Sequence, residues 1–168
     1  QIVADLPVPQ RLCIMNRGIM FREFSISPRC KEASLHWRLP LPDMIPDDST
    51  FYIDASAMDA HNRCMVRLGF AIVVVSPQGQ LVALGHGSPP DWVIDSAGAE
   101  TWAFYMVIAM CSAVPRIVTD CFGIVTTLRD GANRATRAMS LHARVWQMIC
   151  TVLDSDTAVC DAQCKILW

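Results

Sequence analysis

The chain has 168 residues, 52% of them apolar and 18% charged, and its net charge is −2. That length suffices for one domain with a real core plus an appendage, and so apolar a composition excludes global disorder. The small net charge offers no overall basic field of the kind that advertises nucleic-acid binding.

Residues 1–48 are punctuated by Pro7, Pro9, Pro28, Pro40, Pro42 and Pro46 and keep little periodicity. They are expected to form an irregular arm or linker, with residues 49–168 as the folded domain. The chain opens on Gln1 rather than Met, which suggests a fragment or processed product. Gln1–Gln10, with Asp5 and two prolines, is no signal peptide.

From Thr50 the signals sharpen. Thr50–Ala55 reads as a strand, yet its run FYIDASAM carries Asp54 where a strand entering a core would avoid a carboxylate. Val66–Val75 is β-branched and apolar, a buried second strand. Ser76-Pro77-Gln78-Gly79 is a turn, and QLVALGHG returns from it as the third strand of a hairpin.

Ser96 is a candidate cap for a helix reaching Cys111 or Ser112, with Glu100 in its first turns and Pro115 ending it. That helix is apolar nearly all round and should be buried on several sides, with Trp102, Phe104 and Tyr105 in the core. RIVTD reads as a short buried strand, and CFGIVTTLRDG as a helix closed by Gly131. Met139–Leu153 is an amphipathic helix presenting Leu141, Val145, Met148, Ile149 and Val152, with Trp146 packed. CKILW begins a last strand. The order β-β-β-α-β-α-α-β implies an α/β fold, a mixed sheet with helices on its faces.

The longest uncharged apolar run, Thr101–Pro115, is too short to span a bilayer, so a soluble protein without membrane association is expected. The eight cysteines include no CxxC pair, and a chain this large and apolar needs no disulfide framework. They read as reduced thiols in an intracellular protein, nuclear or cytoplasmic. His61-x-x-Cys64 and Cys160-x-x-x-Cys164 resemble halves of a zinc site, each without a matching half. His86 and His142 read as structural, His142 as solvent-facing or capping.

Three acids share one description. Asp54 and Asp120 end the first and fourth strands, and Glu100 lies in the first long helix. If those strands are parallel neighbours, the two aspartates emerge side by side at the edge where open sheets bind ligands. Clustered carboxylates repel unless a cation sits among them, and oxygen ligands favour Mg²⁺ or Mn²⁺. The residues alone leave two readings open: a shared cation site, or three unrelated caps at element ends.

In order, YIDAS, AGAETWAFYMVIAM and RIVTDCFGIV resemble the three acidic motifs of the type 1 ribonuclease H family, most of all the domain attached to retroelement reverse transcriptases. The resemblance runs from about Thr50 to Trp168 and takes in GFAIVVVSPQGQLV as the second and third strands. The acid order supports it: transposases and integrases run Asp, Asp, Glu, and proofreading-type exonucleases want Asp-x-Glu, whereas position 56 is Ser.

The resemblance implies an RNase H-like sheet and a Mg²⁺- or Mn²⁺-dependent endonuclease cutting the RNA strand of an RNA–DNA hybrid. Asp54, Glu100 and Asp120 would be its catalytic and metal-holding residues. Ser56, Arg134 and Arg137 would be substrate-binding, since Arg129, Arg134, Arg137 and Arg144 fall in the region that lies near the nucleic-acid backbone. An adjoining reverse transcriptase is an implied partner. Ala55 stands where the family has Gly, and Cys121 where it has Ser. The family pattern continues past the fifth strand with a His-bearing loop and a helical Asp, so a C-terminally truncated domain is expected. A module that kept the fold and lost activity is the alternative.

Overall fold

The structure is a computed structural model and describes residue 8 and residues 32–58, 60, 66–154 and 156–168. Among the described residues, six strands form one sheet: β1 Ser34–Leu39, β2 Thr50–Met58, β3 Arg67–Val75, β4 Leu81–Ser88, β5 Arg116–Thr119 and β6 Ile166–Leu167. The helices are α1 Ser96–Met110, α2 Phe122–Asp130, α3 Ala132–Ala135, α4 Ala143–Val152 and α5 Asp156–Lys165.

The strands lie in the order β1-β4-β3-β2-β5-β6. β1, β4, β3 and β2 pair antiparallel, and β2, β5 and β6 pair parallel. This is the mixed α/β sheet that the sequence implied, with the strands bearing Asp54 and preceding Asp120 side by side and parallel.

Period-two alternation makes the sheet two-faced. Phe51 and Ile53 of β2, Phe70, Ile72 and Val74 of β3 and Ile117 of β5 are buried, while Tyr52, Asp54 and Ser56 are exposed. α1 packs on β2 and β3 and against α4, so Phe104 and Val107 meet the inner face and Ile149 closes the layer. Each such side chain contributes roughly 1.5–3 kcal/mol by leaving water, which makes the helix–sheet seam rigid enough to aim a polar group. The β3–β4 hairpin turns at Ser76–Gln80, where Ser76 N–H donates to the Gln80 carbonyl at 2.9 Å. Gly79 takes φ +79°, a conformation that glycine alone adopts without strain.

α1 is buried on several sides, as its apolar circumference requires, and Trp102 and Phe104 are core. Its cap is Asp95, not Ser96: the Asp95 carboxylate accepts from Gly98 N–H at 2.7 Å, and Ser96 is the first helical residue. The helix ends at Met110, five residues before Pro115, because Cys111 is already extended. Gly131 closes α2 with φ +86°, its N–H donating to the Thr127 carbonyl at 3.1 Å.

Other elements differ from expectation. Within the stretch read as an irregular arm, Ser34–Leu39 forms β1; Leu35 and Trp37 alternate with His36 and Arg38 and pack against the core. β2 runs on to Met58. α4 starts at Ala143 rather than Met139, and Leu141, expected on its apolar face, is 69% exposed. α5 takes up Cys164 and Lys165, leaving only Ile166–Leu167 for β6. Residues 9–31 of the arm and the His61-x-x-Cys64 half-site lie outside the described residues. Cys160 and Cys164 are free and exposed on α5, and Cys111, Cys121 and Cys150 are free and half-buried. No helix among the described residues is long and apolar enough to cross a membrane.

Candidate metal centre

Ile53 of β2 is in register with Thr119 of β5. Because the strands are parallel, the next residue along each, Asp54 within β2 and Asp120 just past the end of β5, stands at the same level, on the carboxyl side of that pairing; the strand therefore does not end at Asp54 as expected. Glu100 arrives from above as the fifth residue of α1. One carboxylate oxygen from each of the three lies within 4.8 Å of those of the other two. Asp54 and Asp120 are exposed, whereas Glu100 is only 6% exposed.

Glu100 is held by neighbours that the strand end supplies. Its Oε1 accepts from the buried Thr119 hydroxyl and from the Cys121 backbone N–H, the latter at 3.0 Å. The same N–H reaches Thr119 Oγ1 at 3.0 Å, so three groups lock together where β5 gives way to α2. Burial pushes the Glu100 carboxyl up from its ordinary 4.5 to about 7, and the hydrogen bond and charge of Asp120 add to the rise. The Thr119 and Cys121 donors, which favour the ionised form, work against it. The Cys121 thiol is pushed up as well, chiefly by burial. It therefore stays protonated and offers no soft thiolate beside the carboxylates.

Two full negative charges at this spacing repel by roughly 3.5 kcal/mol in a medium of effective dielectric about 20. Either a proton or a cation must relieve that. The donor set decides which cation fits: three carboxylates are hard oxygen ligands, matched to Mg²⁺ or Mn²⁺ rather than to zinc or copper. Mg²⁺ commonly keeps several waters and takes only one or two carboxylates, so an open cluster with two exposed members suits it.

The remaining expected site residues lie apart. Ser56 is on the exposed face of β2, two residues beyond Asp54, or roughly 7 Å along the strand. Arg134 is on α3, its guanidinium 2.9 Å from Asp130, and Arg137 follows in the turn after α3. The nine residues of α2 separate both from Asp120 by roughly 13 Å of helix. Neither arginine reaches the carboxylates; each is exposed. Arg144 lies with its guanidinium carbon 4.2 Å from the centre of the Trp92 ring.

Several neighbours of the site went unread in the sequence. Thr119 is one, although alternation along RIVT does turn it inward beside Ile117. Trp168 is another: its Nε1–H donates to the Asp120 carbonyl at 3.2 Å, and its ring lies 5.2 Å from that of Phe122. His142 bonds Asp95 at 2.9 Å, tying the start of α4 to the cap of α1. His142 itself makes no cap hydrogen bond at the start of α4, so it links two helices rather than taking the solvent-facing or capping role expected of it.

No protein-family model matches the sequence, and no curated protein does. Among solved structures, 70% of this chain aligns with 17% of the protease-reverse transcriptase of prototype foamy virus, at 16% identity and a TM-score of 0.48. A second alignment covers 68% of this chain and 61% of LC9-RNase H1, described as a type 1 RNase H with the type 2 active-site motif, at 18% identity and a TM-score of 0.45. The chain thus spans a small part of the first and less than two thirds of the second.

Proposed function

We propose that this chain is a metal-dependent ribonuclease H domain that hydrolyses the RNA strand of RNA–DNA hybrids, within a retroelement-type polyprotein that also carries a reverse transcriptase. The observation that carries the reading is the convergence of Asp54, Glu100 and Asp120, in that chain order, on one solvent-accessible spot at the carboxyl edge of the sheet. The resemblance of the sequence motifs around these acids also supports it.

Asp54 and Asp120 present open carboxylates to an incoming phosphodiester, and Glu100 anchors the cluster from its buried position on α1. The three would hold Mg²⁺ or Mn²⁺, which when bound supplies activation of water and stabilisation of the departing oxygen. Thr119 and the Cys121 N–H keep Glu100 in one orientation, so that it need not reorganise when substrate arrives. Ser56, on the same exposed face as Asp54, offers a hydroxyl to a ribose 2′-OH, the group that distinguishes RNA from DNA. Arg134 and Arg137 would meet backbone phosphates farther along the duplex, positioning it without reading its sequence.

The test is cleavage of a labelled RNA–DNA hybrid in Mg²⁺ and in Mn²⁺, with Asp54→Asn as the blank. Metal-dependent cutting of the RNA strand that disappears in the blank is expected. Tight hybrid binding with no cutting in either metal would replace this reading with that of a non-catalytic clamp, and cutting that persists in the blank would remove Asp54 from the chemistry.

A further inference from the structure

His36 and His86 face each other across the antiparallel β1–β4 pair, each the other's Cα partner. Both are exposed, their ring centroids are 6.1 Å apart, and their planes are inclined at 45°. Neither ring has a hydrogen bond or ion pair to a described residue, so their nitrogen lone pairs are uncommitted.

The pair is held in register by what flanks it. His86 stands between Gly85 and Gly87. A Cβ on Gly87 would sit 1.9 Å from the Ser34 carbonyl oxygen, and one on Gly85 would sit 2.7 Å from the Trp37 ring. Glycine at both places lets β1 settle closely on β4, with Trp37 and Leu35 filling the space on the opposite face. The Ser34 hydroxyl adds a contact, accepting from Ser88 N–H at 3.3 Å. Two imidazoles on directly opposed cross-strand positions, fixed in this way, are spaced to share one ion.

The row to which they belong continues through Ala71 of β3 to Asp54 of β2. Ala71 raises only a methyl group there, which offers no ligand atom, and Asp54 is two strands from His86, roughly 10 Å away. The imidazoles therefore do not join the carboxylate cluster. Neutral imidazole is a borderline donor that suits zinc, nickel and copper, whereas carboxylates suit magnesium and manganese. The same sheet face would sort two classes of cation by ligand hardness.

We infer that His36 and His86 form a two-imidazole site for a borderline divalent cation of the zinc, nickel or copper class, distinct from the carboxylate centre. Water completes its shell, since no further donor stands with the pair among the described residues. A bound ion fastens the edge strand β1 to β4.

The probe is Ni²⁺, titrated calorimetrically into the full chain carrying Cys160→Ser, Cys164→Ser and His61→Gln. These changes remove the exposed thiols one turn apart on α5 and a histidine outside the described residues. With saturating Mg²⁺ present to occupy the carboxylate centre, which would otherwise also take Ni²⁺, one Ni²⁺ per chain should bind, equally well after Asp54→Asn, and this binding should vanish in His36→Gln and in His86→Gln. Hydrogen exchange of the β1 amides should slow with Ni²⁺ in the parent and stay unchanged in the two histidine variants. Both histidines are exposed, so their replacement leaves the fold in place. No binding by the parent, binding that survives either histidine substitution, or binding lost with Asp54→Asn would each overturn the assignment.

Discussion

The hydroxyl of Thr119 donates to the carboxylate of Glu100, joining the last residue of β5 to the second turn of α1. The bond crosses the seam between sheet and helix at the level of Asp54 and Asp120. It turns two consecutive elements, a helix and the strand end after it, into one rigid corner, and it sets where the buried member of the acidic cluster points.

Thr119→Val keeps the shape of that buried side chain and removes the donor. Loss of a hydrogen bond to an ionised group costs roughly 1.5–3 kcal/mol, so the variant should be less stable by about that amount when the carboxylate is charged. Its response to Mg²⁺ should weaken as well, since Glu100 is free to turn away. Denaturant melts with Mg²⁺ and with chelator check both effects.

The acidity of Glu100 should make stability fall with pH when chelator is present. Its carboxyl titrates near 4.5 when unfolded and near 7 in the fold, so the folded state holds the extra proton between those values. The associated stabilisation is complete below the lower value and is lost as pH rises through the upper one, on the order of 3 kcal/mol in all. Glu100→Gln should flatten this slope. Saturating Mg²⁺ should reverse it, because binding requires ionised ligands. Denaturation midpoints across that window, with and without metal, are the measurement.

Asp120→Asn removes a charge and keeps the shape. In chelator its melting temperature should exceed the parent's, because repulsion within the cluster is relieved. In Mg²⁺ the order should invert: at a hundredfold excess over the dissociation constant the parent gains about 2.7 kcal/mol, and the variant gains little. A variant that responds to Mg²⁺ as the parent does would strike Asp120 from the ligand set.

Arg134→Ala and Arg137→Ala should each weaken hybrid binding evenly across sequences, and each should lower the salt dependence of binding by about one unit of log–log slope. The Asp130 carboxylate beside Arg134 makes Arg137 the larger contributor of the two. Binding isotherms at several salt concentrations resolve them.

Gly87→Ala places a methyl group where the Ser34 carbonyl oxygen now stands, and backbone cannot rotate out of the way as a side chain can. β1 must shift off β4, at a cost of about 1–3 kcal/mol or more. Gly69→Ala is the control: its Cβ would meet nothing closer than 3.7 Å. Chemical denaturation of the two variants should separate them, with faster exchange of the β1 amides in the first alone.

The cluster was legible because its logic is topological. Asp54 and Asp120 each follow a short apolar run, and a parallel pairing of those runs suffices to bring them together, even though β2 continues past Asp54 to Met58. The support beneath Glu100 was not legible, since the Cys121 N–H is a backbone group with no sequence signature. Asp95 and Ser96 are both good caps, and the choice between them rests on His142, which arrives from the far end of the domain to bond Asp95. α5 escaped notice because a helix can form with little apolar burial. Among its described side chains only Ala162 is fully buried, and the Gln163 amide on the Leu128 carbonyl and the Lys165 ammonium on the Val114 carbonyl tether it to the rest. In β1 the alternation of Leu35, Trp37 and Leu39 was present but lay among prolines that signal loops more loudly.

β1 also bounds the sheet, and its outer row of peptide groups has no partner strand among the described residues. Such a border invites a second chain to add itself by main-chain hydrogen bonding. Here the register slips between Trp37 and Leu39, the extra residue is the charged Arg38, and Pro40 follows at once with no N–H to give. A stranger laid along this border would find only a few residues of straight ladder before the kink, then a cation, then a missing donor. The irregularity that sets β1 apart from its neighbours is what lets an apolar sheet end there without growing.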